Sequence, residues 1–224
     1  MSKSKVIGKL LSKSELGLKG IEPFHFELDG GGRNLIEDII SGLPEDAVML
    51  QVGCFLNGSC RRWLEHSPTL RLIGIDPWQP EDFSATFVRQ YRGHPNYPSV
   101  FARIGDDKDI DRFIASLDEN GHFKSALANM LPYRDRFYFL RGFSPAELHN
   151  AKQAGVEPSL IYIDAGKNSV DLEEAFALWP NAIFSGDDYT WGADQGYPMK
   201  TAVDNFARNN GMVVFAERAT WILQ

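Results

Sequence analysis

The sequence predicts an α/β fold in which a mostly parallel sheet carries helices on both faces and ends in an antiparallel hairpin. From Ala47 onward, short apolar runs of strand length alternate with longer segments that have helical spacing. This alternation is typical of βαβ units. Two further short runs end the chain and are separated only by Glu217 and Arg218, which indicates a hairpin.

The predicted strands are short and strongly apolar. Several are nearly continuous in apolar residues, as expected for parallel strands that helices cover on both faces. Five runs supply the parallel part of the sheet, at residues 47–53, 70–76, 136–141, 159–164 and 182–187, and the hairpin takes residues 211–216 and 219–223.

The length of 224 residues fits one large domain with an N-terminal extension. We divide the chain into an N-terminal helical segment, residues 1–45, and a main domain, residues 46–224. Helical spacing marks residues 34–41 in the first part and residues 123–131 in the second. Residues 79–122 form a polar insertion punctuated by proline and glycine, which we expect to act as a lid on the substrate side.

Composition limits the partners and the compartment. The formal net charge of −7 argues against a nucleic-acid partner, because binding a phosphate backbone requires clustered lysine and arginine. Only two cysteines, Cys54 and Cys60, are present, and no apolar run has the length of a signal peptide or a membrane span. We therefore expect a cytoplasmic protein with a small-molecule partner and no membrane partner. A homodimer through the N-terminal helix is an open alternative.

A glycine-bearing loop joins the first predicted strand of the main domain to the next helix. The strand ends at Gly53, and Gly58 and Ser59 open the helix. Glycine lets the backbone approach a ligand closely, and the exposed N–H groups at a helix start favour an anionic group. The dinucleotide fingerprint G-x-G-x-x-G is absent, which disfavours a nicotinamide cofactor.

The neighbouring strand ends in the sequence Ile73-Gly74-Ile75-Asp76-Pro77-Trp78. The Asp76 carboxylate therefore lies at the carboxyl end of that strand, where it can accept both hydroxyls of an adenosine ribose. A glycine loop alone is more often an ordinary tight turn, but its pairing with this carboxylate favours a nucleoside-binding pocket.

Over residues 47–206, these motifs resemble the small class I O-methyltransferases, in particular the methyltransferase-24-like and catechol O-methyltransferase-like branch. The resemblance implies a Rossmann-like methyltransferase fold with a seven-stranded sheet, and S-adenosylmethionine as cofactor. It also implies adenine contacts at Phe143 and Ser144. Gln51 and Phe143 stand where the family commonly has an acidic residue. The predicted cofactor-binding residues are Gly53, Cys54, Phe55, Gly58, Ser59, Asp76, Pro77, Trp78, Gly142, Phe143, Ser144 and Asp164.

Three carboxylates follow the last two parallel strands, at Asp164, Asp187 and Asp188. The carboxyl edge of an α/β sheet is where ligands bind, so these groups are expected close together. Grouped negative charges favour a bound cation, and Mg²⁺ prefers such oxygen ligands. Adjacent residues of a strand point to opposite faces, so both aspartates of the pair can reach one ion only if the chain turns at Asp188.

The resemblance also suggests a reaction. In catechol- and caffeoyl-type O-methyltransferases, an Asp-x-x-Lys motif supplies a metal ligand and a catalytic lysine, and Asp164 and Lys167 match it. The hypothesis is that the metal acidifies a substrate hydroxyl and that neutral Lys167 accepts its proton. Nearby cations and partial burial are expected to lower the pKa of this lysine.

Other interpretations stay open. Asp164 could only cap a helix, and Lys167 could be an ordinary solvated side chain. A metal-independent methyltransferase would use the carboxylates for orientation, and a non-catalytic S-adenosylmethionine-binding module would keep the pocket without turnover. A nicotinamide-dependent oxidoreductase is the weakest alternative. The methyl acceptor is expected to be a sugar or a small phenolic molecule.

Overall fold

The computed structural model describes residues 7–9, 17, 27, 31–78 and 107–224. The strands are β1 (Gly8–Lys9), β2 (Val48–Val52), β3 (Arg71–Asp76), β4 (Phe137–Arg141), β5 (Leu160–Ile163), β6 (Ile183–Gly186), β7 (Val214–Glu217) and β8 (Thr220–Leu223). The α-helices are α1 (Asn34–Gly42), α2 (Gly58–His66), α3 (Asp107–Asn129), α4 (Ala146–Gln153), α5 (Val170–Leu178) and α6 (Pro198–Asn210), and two 3₁₀ turns span Leu131–Tyr133 and Ala193–Gln195.

The strands form one sheet in the order β1-β4-β3-β2-β5-β6-β8-β7. Strands β4, β3, β2, β5 and β6 run parallel to one another, whereas β8 runs antiparallel to both β6 and β7. The predicted seven-stranded, mostly parallel sheet with a C-terminal antiparallel hairpin is confirmed. The two residues of β1 add a short antiparallel strand beside β4 that the sequence did not predict.

Apolar side chains alternate between the two faces of the sheet and build two cores. In β5, Leu160 and Tyr162 join the core under α1, α2 and α3, whereas Ile161 and Ile163 join the core under α4, α5 and α6. Successive strand residues point to opposite faces, so a continuous apolar run supplies both cores at once. Helices on both faces leave the carboxyl edge of the sheet as the place where loops can form a site.

Helix α3 begins well before the predicted helix at residues 123–131. Ile110, Phe113, Ile114 and Leu117 are buried in the core, and their spacing is that of an amphipathic helix. Gly121 interrupts the helical geometry with φ of 74°, and this break separates the predicted part from the earlier turns. The sequence prediction located the second half of the helix and missed the first.

The N-terminal segment contributes α1, which agrees closely with the helix predicted at residues 34–41. Most of the predicted lid, residues 79–106, lies outside the described residues. Within the described part of the chain, no helix has the length and apolar character needed to cross a membrane.

Candidate functional site

A cleft of about 490 Å³ opens at the carboxyl edge of the sheet. It lies between the loop after β2 and the loop after β5, at the point where the strand order reverses direction. In open α/β sheets this switch point is the usual ligand site. The lining residues are Val52, Gly53, Phe55, Ile75, Asp76, Pro77, His122, Gly142, Phe143, Ser144, Asp164, Ala165, Gly166, Asn168, Val170 and Asp171.

Gly53 occupies a position that only glycine can take without strain. Its φ is 83°, and a Cβ atom placed there would lie 1.9 Å from the carbonyl oxygen of Asp164. Left-handed backbone disfavours other residues, and the two loops approach too closely for a side chain. The glycine therefore allows the loops after β2 and β5 to meet at the floor of the cleft.

Asp76 binds the glycine loop through its carboxylate. Its Oδ2 accepts hydrogen bonds from the backbone N–H groups of Cys54 at 2.8 Å and Phe55 at 2.9 Å, and its Oδ1 accepts one from Trp78 at 2.6 Å. A carboxylate offers about four lone-pair sites. Three backbone hydrogen bonds occupy most of these sites, and the carboxylate still lines the cleft.

The structure brings most of the predicted cofactor-binding residues to the cleft. The residues from that set that line it are Gly53, Phe55, Asp76, Pro77, Gly142, Phe143, Ser144 and Asp164. Phe143, one of these lining residues, has 67% of its surface exposed.

Four predicted cofactor residues do not line the cleft. Cys54 and Trp78 are buried in the core, and Gly58 and Ser59 are buried at the start of α2. The reason is visible at Gln51, whose Nε2 donates to the Ser59 hydroxyl at 2.7 Å and whose Oε1 accepts from the Trp63 indole at 3.1 Å. These bonds hold the first turn of α2 against the sheet, away from the cleft.

His122 lines the cleft and was not identified from the sequence. Its Nε2 lies 3.2 Å from the carbonyl oxygen of Phe55. A carbonyl only accepts, so this nitrogen carries the hydrogen in the neutral ring and Nδ1 is left as an acceptor. The buried Nδ1 has no hydrogen-bond partner among the described residues. Burial lowers the pKa of His122, against the carboxylate of Asp76, so the neutral ring is favoured.

A buried arginine from the N-terminal segment reaches the acidic residues. Arg33 is 3% exposed; its Nη2 lies 2.6 Å from Asp187 Oδ2 and 3.6 Å from Asp164 Oδ2. Its Nη1 lies 2.5 Å from Glu27 Oε1. Burial opposes the charge of Arg33, but Tyr162 and these carboxylates outweigh it and hold its pKa well above the ordinary value. No motif in the sequence identified this residue.

Lys167 forms ion pairs with two of the predicted metal ligands. Its ammonium contacts the carboxylate of Asp188 and lies 3.9 Å from Asp164 Oδ1. Burial lowers the pKa of Lys167, but the two carboxylates outweigh that effect and raise it above its ordinary value. The expected lowering of this pKa is wrong, because anions rather than cations surround the ammonium.

Of the three predicted metal ligands, Asp164 is the one that lines the cleft, with 25% of its side chain exposed. Burial raises its pKa to about 7, and the carboxylates of Asp187 and Asp188 add to the rise. Arg33 and Lys167 act in the opposite direction. The carboxyl group therefore titrates near neutral pH.

The chain does turn at Asp188, as a shared metal site would require. Its φ is 66°, and its backbone N–H donates to Asp187 Oδ1 at 2.9 Å. The turn nevertheless directs the adjacent carboxylates to different cations, with Asp187 bonded to Arg33 and Asp188 to Lys167. Within residues 31–78 and 107–224 and the few described residues before them, no three His, Cys, Asp or Glu side chains are arranged to hold a metal ion.

Comparison with known proteins gives similarity at the level of fold. No family model and no curated protein sequence matches the chain. A solved structure of a proposed caffeoyl-CoA O-methyltransferase from Staphylococcus aureus matches with a TM-score of 0.51 and 12% sequence identity, over 85% of this chain and 80% of that chain. An O-methyltransferase from Bacillus cereus matches with a TM-score of 0.48 and 15% identity, over 94% of this chain and 85% of that one. The Rossmann-like methyltransferase fold implied by the sequence resemblance is confirmed.

Proposed function

We propose that the protein transfers the methyl group of S-adenosylmethionine to a hydroxyl oxygen of a small molecule. The observation that carries the proposal is the cleft at the switch point, where the Gly53 loop, the Asp76 carboxylate and the Asp164 carboxylate face one space. A nucleoside and a reacting group fit side by side at such a position. The Staphylococcus aureus structure that shares the fold is named for transfer to oxygen, which supports this acceptor class.

The cleft residues suit an adenosine with a charged sulfonium. Asp76 lines the cleft and presents a carboxylate that can accept from a ribose hydroxyl. Exposed Phe143 provides an apolar ring face for a base. Aromatic rings and planar groups stack favourably, by about 0.5–1.5 kcal/mol beyond the burial of area. The groups present therefore fit this cofactor.

The reaction needs little beyond positioning, because bound S-adenosylmethionine supplies an already activated methyl group. Of the three clustered aspartates, Asp164 is the one that lines the cleft, so it accepts a hydrogen bond from the acceptor hydroxyl and takes its proton as the oxygen attacks. Lys167, paired with Asp188, stays charged and orients these carboxylates. In this proposal Asp164 takes the proton, a role that the sequence motif suggested for Lys167.

A divalent metal does not fit the residues that would hold it. Asp187 already accepts from Arg33 and from the backbone of Asp188, so coordination would break these bonds. The proposed methyl transfer therefore uses no metal, and the carboxylates act in orientation and proton transfer. The acceptor proposed is a sugar or a small phenol, both of which present a hydroxyl group to Asp164.

Cofactor binding is tested by calorimetry on a matched pair of glycine variants. Gly53→Ala places a methyl group against Asp164 at a φ of 83°, whereas Gly155→Ala has a φ of 80° and open space around it. We expect Gly53→Ala to weaken S-adenosylmethionine binding by about tenfold or more, because strain and overlap cost on the order of 1–3 kcal/mol. Gly155→Ala should bind as the wild type does. Equal affinities of all three proteins would place the cofactor elsewhere.

Turnover is tested with radiolabelled S-adenosylmethionine and a panel of catechols, sugars and polyols, with and without a chelator. Methyl transfer to one of these hydroxyls, undiminished by the chelator, is the expected result, and Asp164→Asn should lower its rate by about a hundredfold or more. Tight cofactor binding with no transfer to any acceptor would instead favour the non-catalytic binding module.

A further inference from the structure

We infer that the Arg33 guanidinium permanently takes the place that a divalent cation would hold at the acidic cluster of Asp164, Asp187 and Asp188. The inference concerns the same site as the proposed transferase and rests on that function for its catalytic meaning. The inference can be tested separately from the transferase activity, because cation binding can be measured without any methyl acceptor.

The position of the guanidinium excludes a second cation between the same two carboxylates. Nη2 of Arg33 lies 2.6 Å from Asp187 and 3.6 Å from Asp164, and Nε of Arg33 also donates to Asp187 at 3.2 Å. Magnesium requires oxygen ligands at about 2.0–2.1 Å in octahedral geometry. The planar group already fills the space where those oxygens would converge.

The charges of the side chains at the acidic cluster also disfavour a bound metal ion. The three aspartates have two resident cations, Arg33 and Lys167. Arg33 lies 3.6 Å and Lys167 lies 3.9 Å from the Asp164 carboxylate, so each of the three aspartates has a cationic nitrogen beside it. Metal ions are recruited where carboxylates lack counterions, and here that requirement is already met by side chains.

Arg33 is also held firmly in place. It stands at the N-terminus of α1, which packs into the core through Ile36 and Ile40. Its far side pairs with buried Glu27. Withdrawing the guanidinium to admit a metal would leave the buried carboxylate of Asp187 without its cationic partner, which is strongly unfavourable.

The experiment is a Mn²⁺ titration of the full chain, followed by electron paramagnetic resonance of the free ion. Five proteins are compared: wild type, Arg33→Lys, Arg33→Ala, Asp187→Asn, and the double variant Arg33→Ala with Asp187→Asn. Circular dichroism first confirms that each is folded. The lysine variant keeps a cation at the site, and the double variant removes one of the carboxylates that the single variant releases.

We expect no Mn²⁺ binding by the wild type or by Arg33→Lys up to about 1 mM. Arg33→Ala should bind one ion with an affinity at least about tenfold above that limit. The double variant should lose that gained site. A folded Arg33→Ala protein that binds no ion would overturn the inference. So would a wild-type site for one Mn²⁺ that Asp187→Asn abolishes, and this second result needs no variant at Arg33. Failure of methyl transfer alone would contradict the proposed function and leave the cation result standing.

Discussion

At the scale of single residues, the groups around the cleft are satisfied by backbone and by long-range partners. Asp76 accepts three backbone hydrogen bonds, and Asp187 is bonded to Arg33, which lies 154 positions earlier in the chain. His122 keeps an acceptor nitrogen without a partner among the described residues. Buried polar atoms are normally paired, so this nitrogen is an exception to that rule at a residue that lines the cleft.

The stability of the protein should depend on pH through His122. Burial lowers its pKa in the folded state, and Arg141 adds to this while Asp76 opposes it. The unfolded chain therefore binds a proton that the folded chain does not. The contribution of His122 to stability is present above a pH of about 6.5 and is lost as the pH falls through the folded-state pKa.

Urea unfolding at a pH of about 7.5 and about 5 measures this effect. We expect the wild type to lose more unfolding free energy between the two conditions than His122→Gln does. His66→Gln, at an exposed ring, is the matched control and should follow the wild type. Identical pH dependence of the wild type and His122→Gln would contradict the burial of this ring in the folded state.

At the scale of elements, helix α3 fixes the glycine loop. Asn129 Nδ2 donates to the carbonyl oxygen of Leu56 at 2.9 Å, and Asn57 Nδ2 donates to the carbonyl oxygen of Ala126 at 2.7 Å. The break at Gly121 then turns His122 toward the loop. A helix outside the nucleotide motif therefore determines the shape of the cleft.

The packing of the first half of α3 is tested by shortening Phe113, which is 1% exposed. Phe113→Ala should lower the unfolding free energy by about 3–5 kcal/mol, because it removes apolar burial and leaves a cavity. Lys124→Ala, at an exposed position of the same helix, should change it by about 0.5 kcal/mol or less. Chemical denaturation measures both. A loss below about 1 kcal/mol at Phe113 would mean that this part of α3 does not pack as described.

At the scale of the whole molecule, the reversal of strand order between β2 and β5 creates the site. The two cores hold the sheet rigid from both faces, and the loops at its carboxyl edge supply the ligand-binding groups. A cofactor bound in this cleft contacts loops after several strands, so its binding should stabilise the entire fold.

S-adenosylmethionine at about 100 times its dissociation constant should stabilise the folded state by about 2.7 kcal/mol. For a domain of this size, that corresponds to a rise of about 5–11 °C in the melting temperature. Differential scanning fluorimetry measures the shift. NAD at the same concentration is the control and should produce none, since the dinucleotide fingerprint is absent. A shift with NAD and none with S-adenosylmethionine would favour the oxidoreductase alternative.

Local sequence patterns were sufficient for most of the architecture. Each of the strands β2 to β8 was predicted from a short apolar run, because strands buried on both faces of the sheet consist largely of apolar residues. Gly53 and Asp76 were identifiable for a similar reason, since each sits at a strand end where the fold restricts the choice of residue. The early turns of α3 had a readable apolar spacing as well, but the polar residues around them obscured it.

The sequence by itself determined the α/β fold, the glycine loop and the carboxylates at the edge of the sheet, because strand ends are local features. Only the tertiary structure decided what those carboxylates bind. Arg33 and Asp187 meet through packing of α1 against the sheet, and no spacing along the chain encodes that contact. The raised pKa of Lys167 likewise depends on Asp164 and Asp188, whose carboxylates lie beside its ammonium in the folded chain. Electrostatic roles follow from distances in space, and these become known only once the chain is folded.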